Sequence, residues 1–454
     1  VLRTAISPHF KTEIQYMHAV DMTSGSIGKH LLKFFIPLFL GNLFQQLYSL
    51  VDSIIVGKGI GDAALAAVGA SGTLHFLIFG FAIGLTHGFG ICFSQAFGAK
   101  EMRRLEEYVC AAIALSVMIS VVLTTASLIG LRSLFLFMQT PQDILTDAIA
   151  YFRIILMGIV VTITNNLSIR ILQALGDGRS TLIAMTLSSV MNIVLDLWFV
   201  LGLRMSVAGA ALATVAAQAG SLLFCVLIIR KYGVLHLTAD VWKNSAKDYL
   251  PMLKLGIPVA LMNSVTAMGT MLLQYFVNRM GSLYVAAYSV CMKYAGLFEQ
   301  VGYAVGLSVL TFTGQNYGAK KKDRILTGVR QACLISVIAN SPIAVLEIFF
   351  SDRLAGLMVT SPDIIRQCEI FMPWLGVFLF PLGWLFICRN ACQGMGNTFL
   401  PMMSGVLEVL MRLIFGWLGR SSFTGIAVAE IAAWTGAWLM LWASFRYVWR
   451  RMEC

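Results

Sequence analysis

Stretches of apolar residues long enough to cross a bilayer follow one another along this chain, with almost nothing between them. A spanning helix needs about 20 predominantly apolar residues. Roughly twelve such segments can be read. They lie near 30–56, 63–96, 106–131, 144–170, 180–203, 207–230, 250–278, 283–315, 325–350, 364–391, 398–419 and 424–448. The connections are too short to hold a soluble catalytic domain. Composition agrees: the 454 residues are 58% hydrophobic and only 12% charged, whereas a soluble domain carries about a quarter charged residues. The expected fold is an all-α polytopic membrane protein.

A net charge of +11 could point to nucleic acid, but the distribution of the charge argues otherwise. With the N-terminus in the cytoplasm, about 23 Lys and Arg fall on the inner side and about 8 on the outer. The dense inner clusters are Lys100, Arg103 and Arg104; Arg230, Lys231, Lys243 and Lys247; Lys320, Lys321, Lys322 and Arg324; and Arg446, Arg450 and Arg451. This positive-inside bias places both termini in the cytoplasm of a cell (inner or plasma) membrane, with no nucleic-acid partner. Nine Cys are scattered without a CxxC pair and read as reduced core residues. Residues 1–21 are of mixed polarity without a cleavable signal-peptide pattern, and Met22 offers an alternative start.

The chain also repeats itself at a shift of about 220 residues. "SQAFGAK" (94–100) pairs with "GQNYGAK" (314–320), "MQTPQDI" (138–144) with "MVTSPDI" (358–364), and "LQALGD" (172–177) with "CQGMGN" (392–397). "GDAALAAV" (61–68) pairs with "GSLYVAAY" (281–288), and Ile36-Pro37 with Ile257-Pro258. Several matches fall in polar loops, where apolar bias does not explain them. Each half holds six segments, an even number, so the expected repeats run parallel and are related by a pseudo-two-fold axis along the membrane normal. The expected organisation is a cytoplasmic segment 1–28, an N-lobe 29–231, a linker 232–249, a C-lobe 250–449 and a tail 450–454.

Polar residues inside the spans carry the functional reading, because a charge at the bilayer centre costs roughly 2.5–3.5 kcal/mol on insertion scales. Asn192 and Asp196 lie one turn apart in the fifth segment, "MNIVLDLWFV". Asp52 lies in the first, with Gln45 and Tyr48 on its helical face as candidate cavity residues. Asn166 lies late in the fourth segment and Thr214 in the sixth. Together these offer two carboxylates, two amide oxygens and a hydroxyl, a hard-oxygen set suited to H⁺ or Na⁺. Two carboxylates close together in low dielectric do not both ionise easily, so such a pair can carry a proton. The structural alternatives are an interfacial cap for Asp52, and pairing of Asp196 with Arg170 or Arg204. Pro37 is expected to kink the first segment and serve as a hinge.

The second half differs. The partner of Asn192 is Arg412, four residues after Glu408, a spacing that predicts a structural ion pair. Lys293 and Glu299 in the eighth segment stay unassigned, as do His75 and His87. Trp434, Trp438 and Trp442 form a stripe on the last segment that packs, anchors in lipid, or walls a cationic ligand.

"PLFLGNLFQQLYSLVDSIIVGKGIGDAALAAVGAS", "SQAFGAK", "LQALGDGRST" and "MNIVLDLWFVLG" together resemble the multidrug and toxic compound extrusion (MATE) transporters over essentially 25–450. The resemblance is to the branch with an N-lobe cation site (DinF-like). It implies a V-shaped pair of six-helix lobes exporting organic cations and other amphipathic toxins by antiport against H⁺ or Na⁺. In that branch the cation or Na⁺ site matches Asp52, Asn166, Asn192, Asp196 and Thr214, and the hinge proline matches Pro37. A second branch binds its cation on acids of the seventh and tenth helices; here the seventh has no acid between Ile257 and Asn278. The expectation is a monomeric secondary exporter, not an enzyme, with no cofactor beyond the coupling ion. Its rivals are a flippase for a lipid-linked oligosaccharide, an integral membrane enzyme and a passive channel.

Overall fold

The computed structural model describes residues 20–452, and every regular element among them is helical. With no water in hydrocarbon, a spanning backbone must satisfy its own N–H and C=O groups, which a helix does within one segment. The first half holds α1 (Ile27–Gly59), α2 (Asp62–Gly98), α3 (Met102–Phe137), α4 (Gln142–Met157), α5 (Ile159–Ala174), α6 (Gly178–Asp196) and α7 (Ser206–Tyr232). A short α8 (Ala239–Ser245) then leads to α9 (Tyr249–Asn278), α10 (Ser282–Gly318), α11 (Lys322–Phe349), α12 (Ser351–Gly356), α13 (Pro362–Gly394), α14 (Phe399–Leu418) and α15 (Phe423–Arg451). Eleven helical stretches are long and apolar enough to cross a membrane, and α4 with α5 form a twelfth, bent by 50°. The twelve expected segments are therefore all present.

The bend in the fourth span has a packing cause. It falls at Gly158, where a Cβ would lie 2.4 Å from Cγ2 of Val215. Only glycine lets the α4–α5 junction press against α7 this closely. Pro37 lies inside α1, which runs as one continuous helix through it.

The chain groups into two compact units. One is built on Leu40–Gly256, the other on Met22–Phe39 and Ile257 onward. The first third of α1 thus counts with the second half, and the first turns of α9 with the first half. In the first unit, Phe79, Phe135, Phe152 and Leu156 centre the main core. A smaller cluster of Ile55, Val56, Ala64, Val200 and Val207 underlies the site described below. Helices α2 and α9 touch backbone to backbone at Gly88 and Gly256, where a Cβ on Gly88 would come within 2.4 Å of the Gly256 Cα.

The stretch read as a linker is docked rather than loose. Asp248, almost fully buried, pairs with Arg104 at 2.8 Å, and Lys247 with Glu107 at 2.9 Å. Asp240 pairs with Arg103, and the His236 backbone N–H donates to Glu106 Oε1 at 2.7 Å. These bonds tie residues 236–248 to the charged first turns of α3.

In the second unit, Phe371, Leu375, Tyr288 and Trp434 lie in one core cluster, and Leu31, Phe34, Phe312 and Phe445 in another. Residues 22–25 are held by polar bonds. Gln315 Oε1 accepts from the Met22 N–H at 2.8 Å, and Arg324 donates to the carbonyls of Met22 and Gly25 at 3.0 Å. Residues 1–19, covering most of the expected N-terminal segment, lie outside the described residues, as do the last two of the tail.

Candidate cation site in the first unit

Asp196 is the last residue of α6, and the helix widens directly after it into a π-helical turn, Leu197–Gly202. Such turns are rare and occur often at functional sites. The side chain of Asp196 is fully buried, and Asn192, one turn earlier, is 2% exposed. The Asn192 amide donates to Thr214 Oγ1 on α7 at 3.3 Å, and Thr214 donates on to the Ala210 carbonyl at 3.1 Å. The fifth and sixth spans are thereby joined at the site.

Asp52, on α1, stands near enough to Asp196 for each carboxyl to influence the other. A carboxylate is an acceptor only, unless it carries a proton. Accordingly Asp52 Oδ1, both oxygens of Asp196 and Asn192 Oδ1 are buried without a donor among the described residues. Buried polar atoms are nearly always satisfied, so four oxygen acceptors gathered in one place define a site that lacks a positive partner. Its chemistry fits a proton or a hard monovalent cation. Tyr48 on α1 and Tyr151 on α4 stand close enough to feel both carboxylates.

The structure therefore brings Asp52, Asn192, Asp196 and Thr214 together, with Tyr48 beside them. The pairing of Asp196 with an arginine is not found. Arg170 bonds Gln173 at 2.7 Å, and no ion pair to Asp196 or Asp52 exists among the described residues. Two expected members stand differently. Asn166 donates to its own backbone at Thr162 O, 2.9 Å away, and Gln45 is exposed. Sequence reading did not single out Tyr151, although a tyrosine within a span is itself a signal.

The second unit holds the counterpart. Asn42 and Asn263, five residues after the paired prolines, set the register in which Asp52 matches Leu273 and Tyr48 matches Gly269. The loop matches set the register in which Asn192 matches Arg412 and Asp196 matches Gly416. The corresponding places still meet: a Cβ on Gly416 would lie 3.1 Å from Leu273 Cδ2, and one on Gly269 would lie 2.9 Å from Arg412 Nη1. Apolar and absent side chains replace the carboxylate pair, and an arginine fills the room left by the missing tyrosine.

Arg412 itself is 2% exposed. It grips Glu430 with two bonds, of 3.0 and 2.8 Å, and reaches Glu408 at 3.4 Å. Glu408 is also bonded by Arg389. Two guanidiniums and two carboxylates are thus linked in a buried network, and Glu299 on α10 stands near enough to feel Glu430, Arg412 and Glu408. The expected Glu408–Arg412 pair is present as one edge of it. Glu430 and Arg389 complete it; Glu430, unassigned from sequence, stands alone in the apolar run "TGIAVAEIAAW".

Twelve apolar spans, a duplicated architecture and buried carboxylates inside the spans describe a polytopic membrane protein. The MatE family model matches the chain twice, at residues 37–198 and 258–418. The chain belongs to this family, and the two matches restate the duplication. It is 27% identical over 424 residues to the probable multidrug resistance protein YpnP of Bacillus subtilis, covering 92% of each chain. It is 25% identical to the DNA damage-inducible protein F of Escherichia coli, covering 94% of this chain and 93% of that one. A MOP superfamily transporter from Pyrococcus furiosus shares the fold with a TM-score of 0.89, at 24% identity, over 96% of this chain and 99% of that one.

Proposed function

We propose that the chain is a secondary active multidrug exporter driven by H⁺ or Na⁺ through the niche of Asp52, Asn192, Asp196 and Thr214. Its substrates are organic cations and other amphipathic small molecules. The single observation that carries the coupling site is the set of four buried acceptor oxygens, from α1 and α6, with no donor facing them. Export of drugs is supported by the family and by relatives named for multidrug resistance. The lipid-linked sugar flippase finds no support in those relatives.

In this reading one cation, or one shared proton, neutralises the carboxylates and lets α1 and α6 close on each other. Its departure leaves two like charges in low dielectric, which drives them apart. Pro37 gives α1 a place to bend in response. Ion and substrate occupy the first unit in turn, and that exclusion couples their movements. One monovalent cation entering down a 100 mV potential supplies about 2.3 kcal/mol. Asn166 and Gln45 belong to the wider cavity rather than to the ion's own ligands. The chain resides in the cell membrane as a monomer, with both termini in the cytoplasm on the evidence of loop charge.

The test is efflux of a fluorescent organic cation from vesicles holding the full chain, with pH and Na⁺ gradients imposed separately. One of the two gradients is expected to drive efflux, and Asp52→Asn and Asp196→Asn to abolish it. Full drug resistance from either variant in a sensitised host would overturn the proposal, as would efflux that persists when both gradients are collapsed.

A further inference from the structure

The aromatic stripe on α15 does not belong to the cation niche. It lies in the second unit and borders a groove of about 590 Å³ between α11, α13 and α15. The floor is apolar and aromatic. Trp384 and Trp438 pack with ring centroids 5.2 Å apart, and Leu326, Val329 and Cys388 continue the wall. Trp384 Nε1 is buried with no acceptor among the described residues. This donor is left waiting on the groove's own lining.

The mouth of the groove is cationic. Arg330 enters from α11, and Arg446 and Arg450 from α15. The last two stand one helical turn apart, where like charges repel. Arg446 lies 4.0 Å over the Trp442 ring. None of the three forms an ion pair with a carboxylate among the described residues, although Arg103, Arg104, Arg389 and Arg412 do. α11 starts at Lys322 and α15 ends at Arg451, so the mouth sits at the basic end of both helices. An apolar aromatic trough beside three guanidiniums that have no carboxylate partner among the described residues matches one molecule of the surrounding bilayer. The acyl chain takes the trough and the phosphate takes the arginines. Basic pockets between spanning helices bind anionic headgroups on the same principle.

We propose that this groove is a binding site for one anionic phospholipid, its phosphate held by Arg330, Arg446 and Arg450 and an acyl chain lying along Trp438 and Trp384. The indole N–H of Trp384 donates to an ester or phosphate oxygen of the bound lipid. Bound this way, the lipid ties α11 to α15 across the outside of the second unit.

The experiment uses the full chain in detergent, titrated with phosphatidylglycerol or with phosphatidylcholine of identical acyl chains. Thermal stability and quenching of tryptophan by brominated acyl chains are read together. Near a bilayer each basic residue contributes about 1 kcal/mol toward an anionic headgroup, so a preference for phosphatidylglycerol of at least about tenfold is expected. The triple variant Arg330→Gln, Arg446→Gln, Arg450→Gln is expected to lose that preference, and Arg420→Gln, before the other end of α15, to keep it. Trp384→Phe keeps an aromatic ring but loses the donor, and is expected to weaken the stabilisation by phosphatidylglycerol severalfold while the protein stays folded. Equal response of the unaltered chain to both lipids would overturn the proposal. So would an undiminished preference in the triple variant, or full stabilisation by inorganic phosphate alone.

Discussion

In the first unit Asp196 is fully buried with both carboxylate oxygens unpartnered; in the second, Glu430 is 1% exposed and both its oxygens are held by Arg412. The two sites descend from equivalent places in the repeat, since Arg412 stands where Asn192 stands and Gly416 where Asp196 stands. The contrast shows two ways to keep a carboxylate inside a membrane protein. At this place, though not at Glu347, which is buried with both oxygens unpartnered, the second unit supplies a permanent cation from its own chain, a guanidinium that stays protonated and cannot leave. The first supplies only oxygens, so its cation must come from outside and can depart again. A fixed ion pair gives a static joint, and an incomplete one gives an exchangeable site. Duplication followed by divergence at a few positions accounts for both.

The largest effect expected from breaking this contrast lies in the second unit. Arg412→Met strips Glu430 of both its bonds, and removing one partner of a buried pair costs about 3–5 kcal/mol. The thermal midpoint of the purified protein should fall steeply, and Glu430→Leu added to it should restore most of the loss, because the network then keeps its charge balance. A double variant no better than the single one would refute the static-joint account. Next comes Asp196→Asn in the first unit. Gradient-driven efflux should drop by at least about tenfold, or 1.4 kcal/mol, with stability unchanged or improved, since an amide can donate to the waiting oxygens. If this variant unfolds as readily as Arg412→Met, the two sites do not differ as described.

Smaller changes sharpen the ligand set. Thr214→Val removes the acceptor for the Asn192 amide, and a lost hydrogen bond of about 1 kcal/mol should raise the half-saturating concentration of the coupling ion about fivefold. Asn166→Ala should cost least, less than about twofold on the same measurement, because its amide already bonds its own backbone and a local bond of this kind contributes little net. A large effect from Asn166→Ala would place it among the ion's direct ligands.

How much of this could be read beforehand depended on whether the signal was local. Each span announces itself within about 20 residues, so all twelve were legible. Asp52, Asn192 and Asp196 were legible as well, because an ionisable or amide group in an apolar run is conspicuous against hydrocarbon. Their convergence was not written in the spacing, since α1 and α6 meet only through tertiary packing. The break at Gly158 stayed hidden because a glycine inside a span is ordinary, and only Val215 on another helix makes it necessary. The π-turn after Asp196 leaves no compositional mark. Glu430 was a missed local signal, while its pairing with Arg412, 18 residues away on another helix, belonged to the fold. Residues 236–248 read as a polar linker because each ion pair that docks them has its partner more than a hundred positions earlier, on α3.

The most direct test is to count the ion. Purified protein, equilibrated with the coupling ion that the vesicle assay selects, is mixed with saturating substrate while the release of protons or of ²²Na⁺ is measured. Release of about one ion per chain on substrate binding is predicted, lost in both Asp52→Asn and Asp196→Asn and kept in the Glu430–Arg412 double variant. Undiminished release from either aspartate variant, or release that depends on the second-unit network instead, would contradict the assignment of the exchangeable cation to the first unit.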